Sequence, residues 1–123
     1  MISVISIYNN RQVLDHCLLS SLSRQEGEFQ SILVDNTEGF YKSAAAAFNE
    51  VLPSAYGDYI IFCHQDIVFE SHTWLLDIEK ALGTLQNIGV VGVAGCKENA
   101  RGVFTNITHG PDRTFAGKYR VTE

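Results

Sequence analysis

The run Asp58-Tyr-Ile-Ile-Phe-Cys-His-Gln-Asp66 constrains this chain more than any other stretch. Apolar residues from Tyr59 to Cys63 stop abruptly at His64, Gln65 and Asp66. A short continuous apolar run is what a strand buried in a parallel sheet requires. In open α/β sheets, ligands bind just outside the carboxyl ends of such strands. An imidazole and a carboxylate therefore fall where a fold of this kind does its chemistry. On an extended chain, residues i and i+2 point to the same side. His64 and Asp66 are thus expected to face one ligand or one metal ion. The bland alternative is a helix start capped by Asp66 or Ser71. It suits Ser71 better than it suits the His64/Asp66 pair.

The rest of the chain repeats the pattern. Ile2–Ile7 reads as a buried strand, broken by Tyr8-Asn9-Asn10. Asn9 or Asn10 is placed to cap a helix over 11–24, in which Val13, Leu14, Cys17, Leu18, Ser21 and Leu22 recur at helical spacing. Phe29–Val34 reads as a second strand, closed by Asp35-Asn36-Thr37, and Ala44–Val51 as a second helix, ended by Pro53 and Gly57. Thr73–Leu85 carries a third apolar helical face, and Gly89–Gly95 reads as a fourth, glycine-rich strand. From Cys96 onward periodicity is lost. The expected division is an α/β core over 1–96 and an irregular tail over 97–123. Strands alternating with helices imply a mostly parallel sheet with right-handed crossovers.

Composition removes several classes. At 123 residues the chain has room for one real core, and its apolar content of 46% is ordinary for a globular domain. The net charge of −5, without a Lys/Arg cluster, argues against a nucleic-acid surface. It does not argue against a nucleotide, because a divalent metal can bridge carboxylates to phosphates. No apolar stretch approaches the ~20 residues of a membrane helix. The amino terminus shows neither a basic lead nor a small-residue cleavage site. Cys17, Cys63 and Cys96 form no C-x-x-C pair and read as buried free thiols of a reducing cytosol, so the expected location is cytoplasmic. Neither G-x-G-x-x-G, nor a P-loop, nor G-x-S-x-G is present. A metal is then the natural way for an acidic site to hold phosphates.

Three polar triplets close three strands, and in a parallel sheet they converge on one crevice. Tyr8 is placed to stack on a base, or is a core-edge aromatic. Asp35 is placed to accept from a base imide or a ribose hydroxyl, or forms an Asx-turn. Asp66, with His64, is placed to hold Mg²⁺ or Mn²⁺ on a diphosphate, ions that commonly use one or two carboxylates plus substrate phosphates.

Taken in order, these segments resemble the nucleotide-sugar half of a family 2 glycosyltransferase with the GT-A fold. The resembling parts are Ile2–Asn10, Ser31–Thr37 and Ala45–Asp66, followed by Trp74-Leu75 and Gly89–Gly95. The resemblance implies a three-layer α/β/α, Rossmann-like architecture. It implies that Tyr8, Asn9, Asn10, Asp35, Asn36, Lys42, Asn49 and Gln65 line a nucleotide-sugar pocket. It implies a divalent metal, Mn²⁺ or Mg²⁺, on Asp66 and His64. The family's D-x-D motif reads His64-Gln65-Asp66 here, a version similar to that of one glycosyltransferase-like subgroup. The family's acceptor half and its catalytic base lie beyond this motif. Glu98, Asp112 and Glu123 supply tail carboxylates, but no motif assigns any of them as the base.

The expected partners are a nucleotide-sugar donor, a hydroxyl acceptor, and a second copy of the chain covering an exposed sheet edge. Peripheral contact with a membrane is compatible with the resemblance. Two rivals stand beside the transferase reading. One is a nucleotide-binding or interaction module that transfers nothing, or an inactive fragment. The other is a flavodoxin-like regulatory domain. Sugar release from a donor separates the first rival, and metal-dependent uridine-nucleotide binding separates the second.

Overall fold

The computed structural model describes residues 1–95 and the short strands 104–105, 108–109, 114–115 and 119–120. The chain divides into two units, Met1–Leu85 and Gln86–Glu123. In the first unit, β1 (Ile2–Tyr8), β2 (Phe29–Asp35) and β3 (Tyr59–His64) form a parallel sheet in the order β2-β1-β3. β1 is central, and its residues 2–6 are all buried. That is why Ile2–Ile7 carries no alternation of apolar and charged residues.

Helices lie on both faces of the sheet, and on the second face Ile60 and Phe62 of β3 stay exposed. On one face, Ile2, Val4 and Tyr8 pack with Leu14, Leu18, Leu22, Phe69 and Leu75. Tyr59, Ile61 and Cys63 join this core from β3. Ile60 and Phe62 alternate with them and face the other way. On that second face lies α2 (Ala44–Val51), with Ala47 buried and the Phe48 ring 4.5 Å from that of Phe62. The order α, β, α is the three-layer arrangement expected of the chain.

The first helix, α1, spans 11–22 and begins at the Asn10 cap, whose Oδ1 accepts from Val13 N at 3.1 Å. The sequence predicts a regular helix here. The structure instead places a π-helical turn at Asp15–Leu19 between two α-helical pieces. Its buried leucines recur at 14, 18 and 22. In a regular helix four residues overshoot a full turn by about 40°, so strict four-residue spacing would drift off the core. A wider turn brings Leu18 and Leu22 back into line. The third helix, α3 (Trp74–Thr84), is tied to the end of α1 by Gln25, which accepts from Leu75 N at 3.1 Å and donates to Ser71 O at 2.7 Å.

The fourth-strand expectation is corrected. Of Gly89–Gly95, only β4 (Ala94–Gly95) is strand, and it pairs antiparallel with β5 (Phe104–Thr105) in the second unit, not with the parallel sheet. Glycines at 89, 92 and 95 weaken a strand over this stretch, because they lose much backbone freedom and offer no side chain to pack. Val90, Val91 and Val93 are exposed. The tail expectation is also corrected in part. Thr108–His109 (β6) and Thr114–Phe115 (β7) pair antiparallel, and Tyr119–Arg120 (β8) runs parallel to β5. Cys96, Glu98, Asp112 and Glu123 lie outside the described residues.

Candidate functional site

In the order β2-β1-β3, the chain leaves β1 toward one side and returns to the other. This reversal opens a crevice at the carboxyl ends of β1 and β3. A cleft of about 340 Å³ lies there, lined by Ile7 and Tyr8 of β1 with Asn9 after them, and by His64 of β3 with Gln65 and Asp66 of the turn that follows. The loop after β2 and the start of α2 supply the rest, through Asn36 and residues 41–44.

Most of the expected site residues are spent on holding this frame. Tyr8 is buried, with the Arg11 guanidinium 5.8 Å from its ring centre, and its hydroxyl donates to Asp35 Oδ2 at 2.9 Å. Asp35 Oδ1 accepts from Thr37 N at 2.9 Å and from Thr37 Oγ1 at 2.7 Å. The Thr37 donors, then the Tyr8 hydroxyl, hold the Asp35 carboxyl below its ordinary range, because each stabilises the anion. Asp35 is therefore the anion of an Asx-turn, and it lies outside the residues that line the cleft.

Asn36 grips its own loop. Its Oδ1 accepts from Tyr41 N at 2.8 Å and its Nδ2 donates to Tyr41 O at 3.1 Å. Gly39, at φ +65, provides the left-handed turn that lets the loop close on itself. Lys42 Nζ donates to Gly39 O at 3.1 Å, and Ser43 caps α2 by accepting from Ala46 N at 3.2 Å. A hydrogen bond to the Glu50 carboxylate raises the Tyr41 hydroxyl above its ordinary range. Gln65 Oε1 accepts from both Asn9 N and Asn10 N at 3.0 Å, and its Nε2 donates to Asn9 Oδ1 at 2.8 Å. Asn10 does not line the cleft, since its side chain is the α1 cap. Asn49 sits exposed on α2, outside the cleft lining.

His64 and Asp66 are different. Both line the cleft and both are exposed. Among the described residues, neither side chain has a hydrogen-bond or ion-pair partner. They arrive there by another route than the one expected. The chain is not extended through Asp66. It turns at Gln65-Asp66, with Ile67 N donating to His64 O at 3.4 Å, so strand alternation does not apply. The turn itself brings both side chains to the cleft.

Residues to which the sequence assigned no role of their own in the site also matter. Tyr41, Ser43 and Ala44 complete the lining, Thr37 sets the charge of Asp35, and Arg11 covers Tyr8. Ser43 before an alanine run was legible as a helix cap. Tyr41 was not, because its place depends on the Asn36 grip five residues upstream in sequence.

A parallel sheet with helices on both faces and a polar cleft at its switch point defines an α/β protein of the Rossmann-like kind. The model of a glycosyltransferase-like family matches residues 3–108, and the chain belongs to that family. No curated protein and no solved structure matches the chain significantly. Family membership carries a glycosyltransferase-like function, acting in general between a sugar donor and an acceptor. Among the described residues, no helix is long and apolar enough to cross a membrane.

Proposed function

We propose that this cleft binds a nucleotide-sugar of the UDP-sugar type through a divalent metal, Mn²⁺ or Mg²⁺, and that the sugar is transferred to an acceptor hydroxyl. One observation carries the reading. In a cleft whose other polar groups are largely tied to one another, His64 and Asp66 have no side-chain partner among the described residues.

The donor set fits a shared metal site and not a protein-only cage. Among the described residues, no group of three or more His, Cys, Asp or Glu side chains is placed to hold an ion. One carboxylate and one imidazole are enough where phosphate oxygens and waters complete the shell, as is common for these ions. Asp66 would hold the metal, with His64 beside it. When bound, the metal supplies neutralisation of the charge that develops on the departing diphosphate.

The chain's own residues do the rest. Asp35 stays anionic, and its Oδ1 is filled by Thr37. Asp35 lies beside the cleft lining, between Tyr8 and Asn36, and its Oδ2 carries one hydrogen bond from Tyr8 and keeps capacity for a second, from a uracil imide or a ribose hydroxyl that reaches past that lining. Tyr8 orients that carboxylate rather than stacking on the base, because its ring lies buried beneath Arg11. Asn36 fixes the loop that carries Lys42 to the cleft wall. Holding the donor in one geometry while its leaving group is stabilised is mostly positioning and electrostatics.

The test is calorimetric titration of UDP and UDP-sugars into wild type and Asp66→Ala, with Mn²⁺ and with EDTA. Binding is expected only with the metal and only with Asp66 intact. Equal binding in EDTA, or by Asp66→Ala, would refute the proposed site.

A further inference from the structure

We infer that Gln65, the middle residue of the His64-Gln65-Asp66 triplet, is a positioning residue. Its carboxamide continues the β1–β3 pairing where the backbone of β3 leaves the sheet, and so holds His64 and Asp66 in the cleft. The inference rests on the donor-site reading for its functional consequence, but its geometry stands on its own.

The parallel register between β1 and β3 ends at Ile7 opposite His64. One residue later the chain turns away, and the backbone can no longer serve the next donors on the β1 side. Those donors are Asn9 N and Asn10 N, and both reach Gln65 Oε1 at 3.0 Å. Chemistry decides which way the amide faces. Two N–H groups meeting at one atom require an oxygen there, so the amino group must point the other way. It meets Asn9 Oδ1 at 2.8 Å. The position thus asks for a side chain that accepts twice at one end and donates at the other, with the reach of two methylenes. Glutamine meets all three demands.

The strut reaches further through Asn10. The backbone N–H of Asn10 is held by Gln65, while its side chain caps α1 by accepting from Val13 N. The end of β3, the end of β1 and the start of α1 are therefore one bonded unit at the crevice. A second consequence follows for the donor. The paired N–H groups of Asn9 and Asn10 resemble an anion-binding nest at a helix start, but Gln65 already fills them. The diphosphate must be held from the Asp66 side of the cleft.

The experiment uses the full chain and compares wild type, Gln65→Ala and Gln65→Glu by amide hydrogen exchange in NMR. The Asn9 and Asn10 amides are expected to exchange roughly tenfold faster or more in Gln65→Ala. Gln65→Glu is expected to restore their protection, since its carboxylate accepts from both amides and Asn9 can turn its own amide to donate. UDP affinity in Mn²⁺ is expected to fall about tenfold in Gln65→Ala, the size of one lost positioning contact. Unchanged exchange in Gln65→Ala overturns the strut. Faster exchange with unchanged affinity overturns its positioning role. If wild type binds no UDP with or without metal, the donor reading fails by itself. The side-chain shifts of the His64 ring and the Asp66 carboxylate then decide the positioning role: shifts that move in Gln65→Ala and return in Gln65→Glu uphold it, and shifts that stay in Gln65→Ala overturn it.

Discussion

Replacing Gly57 by alanine separates what holds this fold from what it does. Gly57 sits just before β3, at the amino edge of the sheet, where its N–H donates to Ser3 Oγ at 2.9 Å. A methyl group built there lies 2.5 Å from Ser3 N, 2.7 Å from Ser3 Oγ and 2.8 Å from Ile2 C. Two of these atoms are backbone of the central strand, so no rotamer change relieves the clash. The loop must move, and the bond to Ser3 goes with it. Overpacking of this kind costs about 1–3 kcal/mol, and the lost hydrogen bond adds about 1 kcal/mol. The sum, roughly 2–4 kcal/mol, lowers the Tm of a unit this size by about 10–25 °C. Thermal unfolding followed by circular dichroism measures it. The cleft lies at the opposite end of β3, roughly 20 Å away by strand rise. Below the transition, UDP affinity in Mn²⁺ is therefore expected to stay within about twofold of wild type, as for independent sites. A Tm drop under about 3 °C would refute the packing argument. A stable variant with lost affinity would refute the separation of the two edges.

Two further predictions follow from the charged and thiol groups. Burial pushes the Cys63 thiol up to about 11, opposed weakly by Ser6 across the β1–β3 pair. Ser6 Oγ has no full hydrogen-bond partner among the described residues. At neutral pH Cys63 then presents about 100-fold less thiolate than an ordinary cysteine, and peptide mapping after alkylation should find it labelling at least that much more slowly in native protein than in urea. Comparable labelling rates would contradict its burial. Because the Asp35 carboxyl is depressed, its contribution is present above the ordinary carboxylate range and is lost as pH falls below about 4. The Tm advantage of wild type over Asp35→Asn is therefore expected to shrink on acidification through that window. An advantage that grows there would show that Asp35 is not the stabilised anion described.

Much of this protein was determined by its sequence alone. Local pattern suffices for a strand such as Ile2–Tyr8, because apolar, β-branched residues on both sides have only a buried strand to enter. It suffices for the Asn10 and Ser43 caps, which act on atoms three residues away. It also places the three polar triplets at one edge, since parallel strands align their ends. The tertiary structure decided the rest, where partners lie far apart in sequence. The fourth strand did not form over residues 89–93, where a glycine-rich run has little to fix its pairing, and only Ala94–Gly95 found a partner, in β5. His64 and Asp66 share the cleft through a turn, not through strand alternation. Whether a polar side chain is a ligand or a strut depends on what stands opposite it. Gln65 meets Asn9 and Asn10 from 55 residues or more away, and Tyr8 meets Asp35 from 27. No periodicity encodes those meetings, because hydrogen-bond satisfaction is a property of the folded neighbourhood and not of the residue.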